Sequence, residues 1–148
     1  MVESRQLRWP MQKTVYGDTG GQIESFPLEE CKHCDERGWV LFPWQKKEIG
    51  IDPKTIHIVH ILPGATRGNH NHPRVAEWLC PIEGEGLLTW RSASGELQEL
   101  HLEAQSRCVR IRPGVPHALT NIGAGQLLLM AAREKDPAGD LTVPDKVV

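Results

Sequence analysis

Hydrophobic and polar positions alternate along most of this chain in short runs, each ended by glycine or proline. The clearest runs are residues 39–43, 55–62, 76–82, 85–91, 96–102, 108–112, 117–121 and 126–132. Strands produce this pattern, because successive side chains on a strand point to opposite faces. No stretch repeats apolar residues at the helical period of 3.6. The pattern therefore predicts an all-β fold, a barrel or a sandwich.

Two of these runs carry more specific expectations. The turn sequence Ser92–Gly95 predicts a hairpin that joins 85–91 to 96–102. The run 55–62 has β-branched residues at both parities, which predicts a buried strand. Its two histidines, His57 and His60, are three positions apart, so at most one of them can line the interior of a barrel.

The chain of 148 residues is long enough for one domain. We expect an N-terminal extension over 1–35, which could add an edge strand at a dimer interface, and a barrel over 36–133. The polar, proline-containing tail 134–148 has too few apolar residues to pack alone, so we expect it along the surface or disordered.

Charge and composition exclude several classes of partner. The formal net charge is −2, which gives no support for a nucleic-acid partner. A charged strand edge is the preferred interpretation of Arg107, Arg110 and Arg112. No apolar run approaches the roughly 20 residues of a membrane span, and the first residues lack the apolar core of a signal peptide. We therefore expect a cytoplasmic chain without a membrane partner.

The four cysteines do not form a recognisable metal motif. Cys31 and Cys34 make a C-x-x-C pair without a second half, and Cys80 and Cys108 stand alone in predicted strands. Reduced, unligated thiols are the preferred interpretation. His33, between the first pair, leaves a peripheral zinc site open as an alternative.

A cluster of potential metal ligands occupies residues 64–84. His70 and His72 share one face of a strand, because they are two positions apart. Glu77 has the wrong parity for that face, but Pro73 marks a break after which parity can reset. His117 would join them from a neighbouring strand. Three imidazoles and one carboxylate suit zinc, iron(II), manganese, nickel or copper rather than calcium or magnesium.

These residues resemble the cupin superfamily. Residues 64–84 fit its first motif, G-x5-H-x-H-x4-E-x6-G, at every fixed position. The second motif, G-x5-P-x-G-x2-H-x3-N, is matched at Gly114, His117 and Asn121, whereas Ser106 and Arg112 replace a glycine and a proline. The resemblance covers roughly residues 50–133. It implies an antiparallel β-barrel of the jelly-roll type that holds one divalent transition metal per chain (zinc, iron, manganese or nickel) through the four ligands above.

Three segments resemble one branch of that superfamily: DERGWVL at 35–41, GATRGNHNH at 64–72 and HALTNIG at 117–123. The branch is the cupin domain of enzymes that epimerise or isomerise nucleotide-linked keto-sugars for capsule and surface polysaccharide synthesis. The resemblance implies epimerisation beside a ketone, with the metal assisting removal of a proton. It also implies a homodimer, since cupins commonly pair through an edge strand.

A reaction of this kind needs a base and groups that bind a nucleotide diphosphate. His57 or His60 is the candidate base, because imidazole titrates near neutral pH. Arg67 and Arg91 are candidates for the phosphates, and Trp78 for stacking on the base or the sugar. Two other classes stay open: an iron-dependent dioxygenase that uses the same ligands, and a non-catalytic cupin that binds a sugar or another small molecule.

Overall fold

A computed structural model describes residues 13–16, 21–45, 49–139 and 141–148. The described chain is built of strands and two short 3-10 turns, Glu29–Cys31 and Pro53–Thr55, so the all-β prediction is confirmed. The strands are β1 Thr14–Tyr16, β2 Ile23–Pro27, β3 Lys32–Asp35, β4 Gly38–Leu41, β5 His57–Ile61, β6 Thr66–Asn71, β7 Glu77–Glu83, β8 Glu85–Arg91, β9 Leu97–Glu103, β10 Arg107–Ile111, β11 His117–Asn121, β12 Leu127–Arg133 and β13 Val143–Pro144.

The strands of the described residues form two main antiparallel sheets, as the jelly-roll prediction requires. One sheet has the order β1-β2-β10-β7-β12-β5, and the other has the order β13-β6-β11-β8-β9. The predicted hairpin is present, since β8 and β9 pair across residues 92–96. The core lies between the two sheets and consists of buried apolar side chains from both, including Ile61, Leu79, Leu88, Trp90, Ile111, Leu119 and Leu129.

A second apolar cluster covers the outer face of the first sheet. Phe26 stacks on Trp78 with ring centroids 5.4 Å apart. Residues of the segment 28–51 complete this layer, and Trp44 donates its indole N–H to the sulfur of Cys108 at 3.3 Å. Three of the four free cysteines, Cys31, Cys80 and Cys108, are buried in this layer, whereas Cys34 is exposed.

Two expectations about strand position were wrong. The run 55–62 was expected to be buried on both faces, but β5 pairs only with β12 and is an edge of the described sheet. Ile58, which points away from the core, is 58% exposed. The arginines at 107–112 were expected on a charged edge, but β10 lies between β2 and β7. Arg110 and Arg112 instead contact Glu24, so their charges are paired on the sheet face.

The segments that flank the barrel also contribute strands. Residues 1–12 and 17–20 of the predicted N-terminal extension lie outside the described residues, whereas β1 and β2 extend the first sheet. Near the other end of the chain, β13 pairs with β6. Within the described ranges, none of the helical segments has the length and apolar character needed to cross a membrane.

Candidate metal centre

The structure brings together the four residues that the sequence suggested as ligands. His70 comes from β6, His72 follows that strand, Glu77 begins β7, and His117 begins β11. One ligand atom from each side chain lies within 4.8 Å of all the others. His72, Glu77 and His117 are buried, and His70 is half-buried. The cluster therefore combines side chains from both sheets in a largely buried site.

A bulge in β6 sets the position of the first histidine. The register between β6 and β11 shifts between His117 and Ala118, and His70 lies directly opposite His117. Gly68, with φ +99°, sits where an added Cβ would lie 3.0 Å from the carbonyl oxygen of His117. A side chain at this position would push the strands apart. The glycine therefore allows β11 to approach β6 closely beside the cluster.

The break predicted around Pro73 explains how Glu77 reaches the cluster. β6 ends at Asn71 and β7 begins at Glu77, in the other sheet. The carboxylate therefore approaches the histidines from across the barrel rather than along their own strand. Because Glu77 lies on β7, the alternation of side chains along β6 does not determine which way its carboxylate points.

Two distances between the glutamate and the histidines match the spacing of ligands around a shared cation. The Nε2 atom of His72 lies 3.0 Å from Oε2 of Glu77, and that of His117 lies 3.5 Å from Oε1. Despite this proximity, neither buried nitrogen makes a hydrogen bond of acceptable geometry within the described chain. Ligands about 2.1 Å from a metal lie roughly 3.0 Å apart at right angles and roughly 3.4 Å apart at the tetrahedral angle. The spacing of these atoms is therefore compatible with a shared cation.

The remaining ring nitrogens of two histidines have partners outside the cluster. Nδ1 of His117 lies 2.9 Å from the carbonyl oxygen of Val115, to which it must donate. Nδ1 of His72 lies 3.2 Å from the hydroxyl of Thr142. Partners of this kind fix the tautomer whose Nε2 lone pair is free to bind a metal. Arg133 plays the corresponding part for Glu77, because its Nε donates to Oε2 at 3.2 Å.

The electrostatics favour the protonation states that a metal needs. Burial, together with the neighbouring His117 and His72, lowers the pKa of His70 to about 4. Burial opposes ionisation of Glu77, but contacts with the same two imidazoles hold its pKa well below the usual value. At neutral pH the site thus offers a neutral imidazole and a carboxylate. This donor set fits a divalent transition metal.

A cavity of about 760 Å³ opens beside the cluster. Its lining combines side chains of the cluster with residues of β5, β6 and β12, including His57, Arg67, His70, Leu129 and Arg133. Both candidate bases, His57 and His60, belong to this lining. On β5, His57 is half-buried and shares a face with Val59 and Ile61, whereas His60 has the opposite parity and is exposed. Nδ1 of His57 lies 2.7 Å from the carbonyl oxygen of Thr55. A neutral His57 therefore carries its lone pair on Nε2.

The other candidate substrate residues are placed differently. Arg67 lines the cavity, and its Nε donates to the carbonyl oxygen of His60 at 3.2 Å. Arg91 instead donates to the carbonyl oxygens of Gly95 and Lys146 and does not line this cavity. Trp78 lies in the apolar layer on the outer face of the sheet. The structure thus brings Arg67 to the cavity and leaves Arg91 and Trp78 outside it.

Sequence reasoning missed Arg133 and Thr142. Arg133 continues the inward parity of Leu127, Leu129 and Ala131 along β12. A charged residue at the end of an apolar face was a usable signal. Nothing in the sequence indicated Thr142, because it lies 70 residues from His72.

Facing antiparallel sheets that enclose three histidines and a glutamate define a cupin-type β-barrel. The polysaccharide biosynthesis C-terminal domain family matches residues 33–136, which is more than two thirds of the chain. The chain belongs to this family, and the resemblance inferred from its motifs is confirmed. A search of the curated proteins finds no match.

Solved structures show the same architecture. Staphylococcus aureus CapF, a capsular polysaccharide assembling protein, is 25% identical with a TM-score of 0.55 over 62% of this chain, which spans only 26% of CapF. The sugar 3,4-ketoisomerase QdtA of Thermoanaerobacterium thermosaccharolyticum, solved with TDP, is 20% identical with a TM-score of 0.64, over 81% of this chain and 87% of QdtA. The Legionella pneumophila 3,5-epimerase RmlC is 16% identical with a TM-score of 0.64, over 88% and 77%. At 20% and 16% identity the likeness establishes the fold.

Proposed function

We propose that this chain is a metal-assisted epimerase or isomerase of a nucleotide-linked keto-sugar in surface polysaccharide synthesis. One observation carries the proposal: the candidate base His57 lines the same cavity as three members of the cluster, His70, Glu77 and His117. The family supports the polysaccharide context. The ketoisomerase and epimerase structures support the substrate class, because they were solved with TDP and with a dTDP-linked keto-sugar.

The metal, held by His70, His72, Glu77 and His117, would act as a Lewis acid that polarises the ketone of the substrate. His57 Nε2 accepts the proton from the carbon beside the ketone, since its Nδ1–H is engaged by Thr55. The electrons of that C–H bond form a C=C bond, and the carbonyl electrons move to oxygen. Delivery of a proton from solvent to the opposite face of the same carbon gives the epimer, and His57 releases the proton it took. When that carbon carries a hydroxyl, return of the proton to the former carbonyl carbon, with transfer of the hydroxyl proton to the former carbonyl oxygen, gives the isomeric ketone.

The pairing of β5 with β12 places a small side chain beside His57. His57 on β5 lies opposite Ala131 on β12, which lies opposite Leu79 on β7. On this face of the sheet, only the methyl group of Ala131 therefore lies between His57 on β5 and Leu79 on β7. Arg133 and Glu77, which lie opposite each other two residues further along on the same face, occupy the adjacent row. We propose that Arg67, at the cavity lining, binds the diphosphate through its guanidinium.

A homodimer is also part of the proposal. Within the described sheets β5 has an unpaired edge, and edges of this kind favour association. Ile58 and the adjacent Leu62 are 58% and 63% exposed. Their apolar surface would be covered by a second copy.

The test is solvent deuterium exchange into TDP-4-keto-6-deoxyglucose, the ligand of one QdtA structure. Metal-loaded protein should incorporate deuterium at a carbon beside the ketone, as read by NMR. His57→Asn should slow this exchange by about 10²–10⁴-fold, the range for loss of a general base. His60→Asn removes the second candidate base, which also belongs to the cavity lining but has the opposite parity on β5. This variant should retain the exchange, and loss of exchange in it alone would assign the base to His60.

Two results would count against the proposal. Absence of exchange in the metal-loaded protein, with this substrate and with its UDP-linked counterpart, would favour a binding module. Oxygen uptake after anaerobic loading with iron(II) would favour the dioxygenase alternative.

A further inference from the structure

Residues 141–148 run along the strand that carries His70. β13 pairs with β6 in antiparallel register, with Val143 opposite Asn71 and Pro144 opposite His70. The segment thus occupies the outer edge of the second sheet. It lies beside the strand that leads to His72, although it is separated from that strand by about half of the chain.

The asparagines of β6 hold this segment in place. The side-chain oxygen of Asn69 accepts hydrogen bonds from the backbone N–H groups of Val147 and Val148, each at 2.9 Å. Its backbone oxygen accepts a third from Asp145 at 2.8 Å. Asn71 donates to the carboxylate of Asp145 at 3.0 Å. Four hydrogen bonds therefore fix the segment independently of the residue that reaches the metal centre.

That residue is Thr142, whose hydroxyl oxygen lies 3.2 Å from Nδ1 of His72. His72 is 3% exposed and directs its Nε2 toward Glu77. Among the described residues, Thr142 supplies the hydrogen-bond partner of this Nδ1. The equivalent nitrogen of His117 uses a backbone carbonyl instead. The orientation of His72 therefore depends on a side chain from a remote part of the sequence.

We propose that Thr142 is a positioning residue for the metal centre. Its hydroxyl accepts the Nδ1–H of His72, so the neutral ring keeps its lone pair on Nε2 and its plane directed at the cluster. Partners of this kind raise metal affinity by about 10–100-fold. The inference rests on the metal centre of the proposed function and adds a residue that neither cupin motif contains.

The first test compares zinc affinity, measured by competition with a chromophoric chelator. Thr142→Val keeps the shape and removes the hydroxyl, and it should weaken zinc binding about 10–100-fold. Thr142→Ser keeps the hydroxyl and should restore near wild-type affinity. Thr120→Val is the control, because it removes a hydroxyl of the same sheet that contacts Thr66 and no ligand.

The second test reads the tautomer of His72 in the zinc-free protein by ¹⁵N NMR at a pH where the ring is neutral. The wild type and Thr142→Ser should show the Nδ1–H form, and Thr142→Val should show a mixture. A purely structural role for Thr142 would leave this signature unchanged and would lower the unfolding temperature instead.

The outcomes separate this inference from the proposal beneath it. A wild type that binds no zinc overturns the metal centre and the inference together. A wild type that binds zinc, with equal affinity and tautomer in Thr142→Val, overturns the role of Thr142 alone. Equal weakening in the valine and serine variants also contradicts it, because the hydroxyl would then not be the group that matters.

Discussion

In the segment Asn69-His70-Asn71-His72, the histidines and the asparagines lie on opposite faces and make different contacts. The histidines point into the barrel toward Glu77 and His117. The asparagines bind the segment 145–148 on the other side. Alternation on a strand makes this division possible. These four residues thus supply two members of the cluster and also attach the segment that supports it.

We predict that removal of one of the four candidate ligand side chains abolishes stoichiometric metal binding. His117→Gln deletes a buried ligand nitrogen, so the affinity should fall by more than the roughly 10–100-fold typical of an outer partner. Elemental analysis after gel filtration should find about one metal per chain in the wild type and almost none in the variant.

His101→Gln provides the matched control. His101 is an exposed histidine on β9 that contacts Glu85 and does not belong to the cluster. Its replacement should leave the metal content unchanged. Full metal content in His117→Gln would show that residue 117 is not a ligand.

The clustering of the four side chains could be predicted from the sequence because their spacing is set by strand parity and by turn residues, both of which are local. The candidates Trp78 and Arg91 could have been rejected on the same grounds. Each follows a residue that faces inward, Glu77 and Trp90 respectively, so each must face outward. The hydroxyl of Thr142 could not be predicted, since only the folded chain brings it to His72.

Among the elements, the turn between β7 and β8 depends on one glycine. Gly84 has φ +88°, and an added Cβ would overlap the carbonyl oxygen of Gln126. Gly95, in the hairpin between β8 and β9, has nearly the same φ of +89° but no atom within 4 Å of such a Cβ. The two positions therefore share the backbone requirement and differ only in the space around them.

We predict that Gly84→Ala destabilises the fold more than Gly95→Ala. Both variants should lose about 1–2 kcal/mol of unfolding free energy, because alanine resists a positive φ. Gly84→Ala should lose about 1–3 kcal/mol more, because its Cβ would overlap the backbone at the start of β12. Urea unfolding of the two variants measures the difference. Equal losses would show that the turn can move away from Gln126.

Strand positions could be predicted closely, whereas strand neighbours could not. The run 85–91 coincides with β8, and 117–121 coincides with β11. Yet β5 proved to be an edge strand and β10 an interior one. Local alternation reports which residues face a core, but the order of strands depends on long-range pairing. This is why the charges at 107–112 were assigned to the wrong environment.

For the whole molecule, the cluster joins the two sheets. His70 and His117 belong to the second sheet, and Glu77 belongs to the first. A metal bound by all three would act as a cross-link, and binding energy directed to the native state adds to stability. At a hundredfold excess of free metal over its dissociation constant, this contribution is about 2.7 kcal/mol.

We therefore predict that a strong chelator lowers the unfolding temperature at pH 7.5. Addition of zinc in slight excess should restore it, and scanning calorimetry measures both changes. His117→Gln should begin at the lower temperature and respond to neither treatment. An unfolding temperature of the wild type that chelator leaves unchanged would contradict a metal coupled to the fold.

On the opposite face of the first sheet, a group of ion pairs ties β2 to the interior strand β10. Glu24 is 5% exposed and contacts Lys13, Arg110 and Arg112. Burial alone would raise its pKa, but hydrogen bonds from Lys13 and Arg112 and the charge of Arg110 lower it overall. Arg110 is also paired with Glu134.

A carboxyl whose pKa is lower in the folded than in the unfolded state stabilises the fold above its unfolded pKa. The contribution of Glu24 should therefore be complete above about pH 4.5 and should disappear as pH falls through the lowered folded value. We predict that Glu24→Gln loses about 1.5–3 kcal/mol at pH 7, as expected for hydrogen bonds to a charged group. Below pH 4.5 its stability should approach that of the wild type. Urea unfolding from pH 7 to pH 3 checks this, with the exposed Glu99→Gln as control, and parallel curves for wild type and Glu24→Gln would contradict it.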